Sequence, residues 1–344
     1  MKKFLFTHNY ITTRRLFTTY DVCDIKDDVV IDKKGRPLFD VDSKLARRFG
    51  KVFEEKDIYE MEECNMGMEI NTREILEKWE NSIKIRASIL DKRPQFIVIK
   101  VGDRDDSNLY VNNKIKKAKE LGIEPYLVYL ESNITQYNLN IAMSQIDRPA
   151  ILQLPLPEHL DAIEALSHLK PQYDMDGLTN YQKGLLASGD PRAMIPATAK
   201  GVREILKGVT NLRGSRVLII SRSDLIGKPL IQLMLQEDAV PIVVHSRVPK
   251  LTLYSEMKKA DIIITGCGKR KIFNSNHLAE GNQIIIDCSM EKVDGIDNVG
   301  DMDKEDVLLN TYSAIASGYG HTGPATILGL LDNIVKYHEM RYII

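Results

Sequence analysis

Cysteine is scarce in this sequence, with four residues among 344. Cys23, Cys64, Cys267 and Cys288 are far apart, and no two form a Cys-x-x-Cys pair. This spacing excludes the disulfide-dense frameworks of small secreted domains and indicates free thiols in a reducing compartment. The seven histidines form no His-Glu-x-x-His or other close ligand pair, so we expect no metal site.

An excess of charge of one sign is missing as well. The 47 lysines and arginines face 48 aspartates and glutamates, which leaves a net charge of -1. No apolar run approaches the roughly 20 residues that span a bilayer. The apolar run at Phe4–Phe6 is interrupted too early, by His8 and Arg14, for a secretion signal. We therefore expect a cytoplasmic protein that binds neither nucleic acid nor membrane.

Length and hydrophobic content allow two domains with separate cores, since 43% of the residues are hydrophobic. From Ile70 onward, short apolar runs alternate with helical patterns, which favours parallel βαβ units and an α/β fold. The predicted strands are 96–101, 125–130, 150–153, 216–221, 240–245, 261–265 and 283–287. The predicted helices are a first helix that ends at Ile89, 107–121, 135–145, a long helix that begins within 195–201, and 325–337.

The first 65 residues are less informative. Two short apolar runs flank a Lys-Lys-Gly turn between Asp28 and Asp40, and this pattern predicts a hairpin. A charged segment, 51–63, follows. The region is consistent with a small docking module, an oligomer contact or a cap on the second domain.

The segment from Asp103 to Ile123 carries the first chemical signal. Asp106 or Ser107 can cap a helix here, and Gly122 suits its C-terminus. Within that helix, Tyr110 and Lys114 are separated by one turn and share a face. This face follows a strand's carboxyl end, where open α/β sheets bind ligands. Spacing alone favours a simpler interpretation, in which Lys114 is a solvated lysine.

A resemblance changes that interpretation. The pattern Ser-x-x-Tyr-Val-x-x-Lys-x-Lys followed by Gly-Ile resembles the signature of the methylenetetrahydrofolate dehydrogenase/cyclohydrolase family. The matching residues are Ser107, Tyr110, Val111, Lys114, Lys116, Gly122 and Ile123. Two further strings match the family at its spacing: Gln153-Leu-Pro-Leu-Pro157 and Pro171-Gln-Tyr-Asp-Met-Asp176-Gly177.

The resemblance implies roles for four side chains. Tyr110 would stack on a reduced folate, and Lys114 would be the general acid/base, held by Gln153 and Tyr110. Asp176 would hold the pterin ring, because a carboxylate can accept two hydrogen bonds from an amino-pyrimidine edge. Burial would have to lower the pKa of Lys114 for its neutral amine to act near neutral pH. Taken alone, Gln153 could simply bond loop backbone and Asp176 could belong to an ordinary turn.

The turn after the strand 216–221 resembles the family's dinucleotide loop, Gly-Arg-Ser-x-x-Val-Gly-Lys-Pro. Ser221 replaces its first glycine, so we expect a more restricted turn and looser cofactor binding. Arg222 and Arg247 are expected to meet at one corner, where they would suit the 2′-phosphate of NADP better than NAD. The implied cofactor-binding residues are Arg222, Ser223, Gly227, Ser246, Arg247, Gly266 and Gly268.

The clearest departure from the family lies at 316–326, which would close over the folate and the nicotinamide. The family has Thr-Pro-Val-Pro-Gly-Gly-Val-Gly-Pro-Met-Thr, whereas this chain has Ala-Ser-Gly-Tyr-Gly-His-Thr-Gly-Pro-Ala-Thr. Gly323, Pro324 and Thr326 match and would contact substrate, but both early prolines are replaced. We therefore hypothesise that hydride transfer is impaired relative to hydrolysis, or adapted to another substrate.

The resemblance implies a catalytic α/β domain (66–197 plus 319–344), a Rossmann-like NADP-binding domain (198–318) and an N-terminal extension (1–65). The last helix would return to the first domain, and a tetrahydrofolate derivative would bind in the cleft of a homodimer. The implied reactions are oxidation of methylenetetrahydrofolate and hydrolysis of the methenyl product to 10-formyltetrahydrofolate. Two alternatives stay open: a relative with a different substrate, and a non-catalytic folate or nucleotide sensor. Retention of both Lys114 and Gln153 weighs against the sensor.

Overall fold

The structure is a computed structural model that describes residues 67–279, 282–289, 291–293 and 296–340, together with five strands within the first 54 residues. Those strands are β1 (Lys2–Thr12), β2 (Arg15–Lys26), β3 (Val29–Ile31), β4 (Pro37–Asp40) and β5 (Gly50–Glu54). They form one antiparallel sheet in the order β4-β3-β2-β1-β5. The predicted hairpin is confirmed by the β3–β4 pair. Its turn and most of the charged segment 51–63 lie outside the described residues.

The next part of the chain builds a parallel sheet with the order β8-β7-β9. The strand β7 is central because it pairs with both β8 and β9, and five of its seven residues are buried, including Phe96 and Val98. The elements of this part are β6 (Met68–Glu69), α1 (Arg73–Ser88), β7 (Gln95–Val101), α2 (Asp105–Glu120), β8 (Glu124–Leu130), α3 (Gln136–Ser144), β9 (Ala150–Leu152), α4 (Ala162–Ser167) and α5 (Asn180–Ala187).

The second half forms a larger parallel sheet with the order β11-β10-β12-β13-β16-β6. Its elements are α6 (Ala197–Val209), β10 (Arg216–Ile220), α7 (Gly227–Gln236), β11 (Val240–Val244), α8 (Lys250–Lys259), β12 (Ile262–Thr265), β13 (Ile284–Asp287), β14 (Glu291–Val293), β15 (Ile296–Val299), α9 (Lys304–Asn310), β16 (Ala314–Ser317) and α10 (Thr322–Met340). The strand β6, which the sequence did not predict, pairs with β16 at the edge of this sheet.

The helix α10 begins earlier and ends later than predicted, and it joins the two halves. It packs closely on α6, because a Cβ on Gly201 would lie 2.8 Å from the carbonyl carbon of Ala325. Its C-terminal part reaches α1, where Glu339 pairs with Arg86 at 2.7 Å. The imidazole of His338 also lies 3.2 Å from the backbone nitrogen of Gln95. The predicted α/β class, the two units and the returning helix are confirmed.

The start of α2 differs from the expectation. The helix begins at Asp105 with Arg104 at its N-cap and no side-chain capping bond, so the proposed cap at Asp106 or Ser107 is wrong. Ser107 is 6% exposed and lies within the first turn. The C-terminal expectation is confirmed, because Gly122 follows the helix with a φ of 78°.

Two further expectations concern single features. Cys267 and Cys288 are free thiols, as predicted. Within the described ranges, no helix has the length and apolar character that crossing a membrane would require.

Candidate functional site

The best-supported pair at the site joins Lys114 of α2 to Gln153, which follows β9. Because β7 and β9 are parallel neighbours, the helix after β7 and the segment after β9 meet at one edge of the sheet. The ammonium of Lys114 lies 3.0 Å from Gln153 Oε1. Gln153 is 9% exposed, and its amide nitrogen donates to the carbonyl of Leu154 at 2.6 Å. This second bond orients the amide so that its oxygen faces the lysine.

The surroundings of Lys114 shift its pKa toward the neutral amine. Burial lowers the pKa of Lys114, and the nearby carboxylate of Asp176 opposes that shift. Burial likewise raises the pKa of Asp176, against the attraction of Lys114. The two groups therefore lie close enough to influence each other's protonation. Tyr110 lies one turn before Lys114 in α2 and is 42% exposed, which leaves ring surface accessible to a ligand.

The backbone around Asp176 is held from several sides. Gly177 has a φ of 68°, and a Cβ there would lie 2.1 Å from the carbonyl oxygen of Met194. Asn333 of α10 donates to the carbonyl of Met175 at 2.9 Å. Asp174 accepts from the backbone nitrogen of Thr179 at 2.6 Å, and burial raises the pKa of Asp174 to about 6. The Asp-Gly pair is thus fixed by its neighbours, and only glycine fits at the second position.

The turn between β10 and α7 has the form expected of a dinucleotide loop. The helix α7 starts at Gly227, where a Cβ would lie 2.4 Å from the carbonyl oxygen of Ser221. The hydroxyl of Ser223 accepts from the backbone nitrogen of Ile226 at 3.1 Å, and its carbonyl accepts from Lys228 at 3.0 Å. Glycine at 227 therefore lets the turn fold back on the end of β10.

The restricted turn expected at Ser221 causes no backbone strain there. Asp238 and Lys271 are the non-glycine residues with positive φ among the described residues, so Ser221 lies in a region that any residue adopts. It is 4% exposed, and its hydroxyl donates to the carbonyl of Gly266 at 3.0 Å. The serine therefore links two loops at the strand ends and imposes no left-handed strain. Backbone strain at Ser221 is therefore no reason to expect weak hydride transfer, and looser cofactor binding stays a prediction.

Arg222 and Arg247 follow the ends of adjacent parallel strands, since Ile220 pairs with Val244. Both arginines are exposed, as is Ser246 between their strand ends. The two residues therefore follow neighbouring strands at the same edge of the sheet, and the convergence of their guanidinium groups stays a prediction.

A contact that sequence reasoning missed joins the dinucleotide loop to the first half of the chain. Asp224 of the loop accepts from Lys183 of α5 at 2.9 Å and pairs with Lys228 at 2.6 Å. These two cations lower the pKa of Asp224. The acidic residue within the loop and a lysine after Asp176-Gly177 were the sequence signals, but only the fold brings them together.

The loop after β12 contains Gly266 and Gly268 and is organised by Asp301, which sequence reasoning also missed as a site residue. Asp301 is fully buried and accepts from Thr265 Oγ1 at 2.5 Å, from Cys267 N at 2.8 Å and from Lys269 N at 2.7 Å. Gly268 has a φ of 64° and donates its N–H to Ser289. The family-like string Gly-Asp-Met-Asp at 300–303 was the signal for this carboxylate.

The substituted closing loop is anchored by His321. Its Nδ1 lies 2.9 Å from Thr72 Oγ1, and its Nε2 lies 3.2 Å from Glu69 Oε2. Lys304 pairs with the same glutamate at 2.7 Å, and together these partners lower the pKa of Glu69 against its partial burial. The side chain that replaces a glycine of the family therefore binds the loop to the segment after β6.

The three predicted substrate residues of this loop form the first turns of α10. Thr326 donates to the carbonyl of Thr322 at 2.8 Å and lies 3.3 Å from the hydroxyl of Thr198. Gly323 and Pro324 lie beside it in the same helix. A cavity of about 330 Å³ adjoins this loop and is lined by His321, Ser317 and Asp287. Burial raises the pKa of Asp287 to about 7, although backbone amides of Met302 and Ser289 donate to it.

Comparison with known proteins gives a consistent result. The model for the tetrahydrofolate dehydrogenase/cyclohydrolase catalytic domain matches residues 70–176, and the model for the NAD(P)-binding domain of the same family matches 196–342. The bifunctional protein FolD of Rickettsia canadensis is 36% identical over 259 residues, which cover 72% of this chain and 87% of the relative.

Solved structures agree with the family models. The bifunctional FolD enzyme from Campylobacter jejuni has a TM-score of 0.72 at 30% identity and covers 77% of this chain and 96% of its own. The FolD enzyme of Trypanosoma brucei, complexed with NADP cofactor and an inhibitor, has a TM-score of 0.72 at 28% identity, with coverage of 80% and 99%. The chain therefore belongs to the tetrahydrofolate dehydrogenase/cyclohydrolase family.

Proposed function

We propose that this protein oxidises methylenetetrahydrofolate to the methenyl form with NADP and hydrolyses the methenyl form to 10-formyltetrahydrofolate. The observation that carries this proposal is the 3.0 Å contact between Lys114 and Gln153, with a depressed pKa at the lysine. A sensor protein would gain nothing from this pair, whereas a general base needs a pKa shifted toward the neutral amine.

In hydrolysis, the neutral amine of Lys114 accepts a proton from the water that attacks the methenyl carbon. Gln153 positions the amine through its Oε1, and Tyr110 supplies a ring against which the folate stacks. Asp176 holds the pterin edge by accepting hydrogen bonds. Opening of the ring leaves the formyl group on the N10 nitrogen and releases one proton in total.

The residues in the loops after β10, β11 and β12 fit a dinucleotide. The turn at Gly227 folds back on the end of β10, and Gly266 and Gly268 place no side chain at two positions of the neighbouring loop. When bound, NADP would accept a hydride from the folate. Arg222, Ser223, Ser246 and Arg247 would hold the adenosine half, with the two guanidinium groups at the 2′-phosphate.

The division of labour between domains is part of this proposal. We assign 66–197 plus 319–344 to the catalytic domain, 198–318 to the cofactor domain and 1–65 to an extension. Pairing of β6 with β16 ties the start of the catalytic domain to the sheet of the cofactor domain. We also propose a cytoplasmic homodimer, and sedimentation equilibrium of the purified protein would test the dimer.

The cofactor assignment is tested by measuring NADP and NAD affinity in single variants. Arg222→Ala and Arg247→Ala should each weaken NADP binding at least tenfold, because a charge-assisted hydrogen bond contributes about 1.5–3 kcal/mol. NAD affinity should change much less. Arg213→Ala, at an exposed site before β10, is the matched control. Tighter binding of NAD than NADP by the wild type would overturn the assignment.

The activity is tested by assaying hydride transfer from methylenetetrahydrofolate and hydrolysis of methenyltetrahydrofolate separately. Lys114→Met should abolish hydrolysis while NADP affinity and thermal stability stay near wild type. Lys119→Met, on an exposed position of the same helix, is the control. Equal loss of stability and activity would make Lys114 structural, and an inactive wild type on both substrates would favour a different substrate.

A further inference from the structure

A second polar cavity lies between α6, α10 and the segment that joins α5 to α6. Its volume is about 300 Å³, and its charged lining consists of Asp190, Lys200, Arg203, Asp332 and Lys336. None of these residues belongs to the folate or dinucleotide sites described above. The cavity therefore presents three cations and two carboxylates away from the reaction centre.

Both carboxylates already have cationic partners. Asp332 accepts from Arg86 through one oxygen and from Lys200 at 2.6 Å through the other. Asp190 is held by Arg192, whose Nη2 lies 2.6 Å from its Oδ2. Both carboxylates also interact electrostatically with Lys336, which lowers the pKa of Asp190 and whose own pKa is raised by Asp332.

The three cations of the cavity differ in the acceptors that they contact. Lys200 is 4% exposed and is bound by Asp332 and by Asn333 Oδ1, the latter at 2.9 Å. Arg203 donates to Glu204 at 2.8 Å. Lys336 donates to the carbonyl of Ala193 at 2.8 Å, and within the described part of the chain no carboxylate lies within 4.0 Å of its ammonium.

The electrostatic surroundings of Lys336 are consistent with that imbalance. Burial and repulsion by Lys200, Arg203 and Arg86 lower the pKa of Lys336 to about 8, against the attraction of Asp332. A half-buried ammonium with one neutral acceptor and an adjoining cavity retains donor capacity for an anion. A bound anion would also relieve the repulsion among the clustered cations.

We propose that this cavity binds a small dianionic oxyanion, with Lys336 as its principal ligand and Lys200 and Arg203 as flanking cations. Tetrahedral sulfate or phosphate and a short dicarboxylate share the required chemistry. Their oxygens accept several charge-assisted hydrogen bonds, and about 300 Å³ is ample for one of them. The site is independent of the proposed one-carbon activity, so either can fail without the other.

Sulfate is the probe of choice because its charge is constant across the pH range of interest. Calorimetric titrations at constant ionic strength would compare wild type, Lys336→Met, Lys336→Arg and the control Lys258→Met, an exposed lysine on α8. Sulfate that binds at the dinucleotide loop would contribute equally in all four proteins. Differences among them therefore report on the cavity alone.

At pH 7, wild type and Lys258→Met should bind with equal affinity, and Lys336→Met should bind at least tenfold more weakly. At pH 9 the wild type should lose about tenfold, since the solution lies about one unit above the pKa of Lys336. Lys336→Arg should keep its affinity at pH 9, because a guanidinium stays protonated. This variant and the pH comparison also apply if Lys336→Met does not fold.

Equal affinity of Lys336→Met and wild type would overturn the proposal, as would the absence of saturable binding or a pH-independent wild type. Malonate titrated in parallel identifies the ligand class. Lys336-dependent binding of sulfate indicates a tetrahedral oxyanion, and Lys336-dependent binding of malonate indicates a dicarboxylate. Failure of both anions to depend on Lys336 would refute the site.

Discussion

Replacing His321 with alanine should release the closing loop from the segment after β6. The histidine is bound at 2.9 Å by Thr72, which is 2% exposed, and at 3.2 Å by Glu69, which is exposed. A buried hydroxyl left without a partner costs about 1–3 kcal/mol, whereas an exposed ion pair contributes about 0–1 kcal/mol. Glu69 also retains Lys304. The free energy of unfolding should therefore fall by about 1–3 kcal/mol.

A double-mutant cycle assigns that loss to the bond. Urea unfolding would be measured for wild type, His321→Ala, Thr72→Val and the double variant. Thr72→Val removes the same hydrogen bond from the other side and leaves an apolar side chain of similar size at the buried position. The two substitutions should be non-additive, with a coupling of about 0.5–1.5 kcal/mol.

Kinetics give the functional side of the same experiment. A loop that must be ordered before reaction consumes binding energy, so His321→Ala should raise the KM for methylenetetrahydrofolate more than it lowers kcat. A coupling of about 1.4 kcal/mol corresponds to about tenfold in kcat/KM. Additive unfolding energies, together with an unchanged KM, would refute the claim that His321 anchors the loop.

Two other predictions concern the pKa of Lys114 and the packing around two helical glycines. Asp176→Asn should move the acid limb of the hydrolysis profile, measured as kcat/KM, to lower pH. The reason is that the carboxylate of Asp176 raises the pKa of Lys114, so removing that carboxylate lets the pKa of Lys114 fall further. If the acid limb does not move, it reports a group other than Lys114. Gly184→Ala, with no atom within 4 Å of the new Cβ, should stabilise the protein by up to about 1 kcal/mol. Gly201→Ala should destabilise it by about 1–3 kcal/mol, because the Cβ would meet α10 at 2.8 Å; equal effects would contradict the packing.

The sequence predicted those elements whose signals are local. Buried strands such as Ile262–Thr265 are uninterrupted apolar runs, and Gly122 ends a helix with the positive φ that its type suggests. The two-residue strand β6 has no such signal. It exists because β16, far along the chain, offers it an edge. The predicted N-cap of α2 was also wrong, because the exact residue at which a helix begins depends on packing as well as on the local sequence.

The candidate site likewise contains contacts that the sequence suggested and contacts that it did not. Lys114 and Gln153 were suggested by resemblance to family motifs, and the sheet order accounts for their contact. The bond between Thr72 and His321 joins residues 249 positions apart, and nothing in either local sequence indicates it. Asp301 is similar, because the four backbone and side-chain donors to its carboxylate come from a loop that precedes it by more than 30 residues.

In the altered closing loop, side-chain contacts of His321 stand in place of the family's two prolines as restraints on the chain. Each proline in the family's loop would restrict the unfolded and open chain, a contribution of about 0.4–1 kcal/mol apiece. The bond of His321 to Thr72 contributes about 0.5–1.5 kcal/mol and its exposed contact with Glu69 about 0–1 kcal/mol, and both require the loop to lie against these two residues. The substitutions therefore exchange fixed backbone angles for side-chain contacts between the loop and residues 69 and 72. Because Ser221 adds no left-handed strain to the cofactor turn, we expect any change in hydride transfer to come from this loop rather than from strain in that turn.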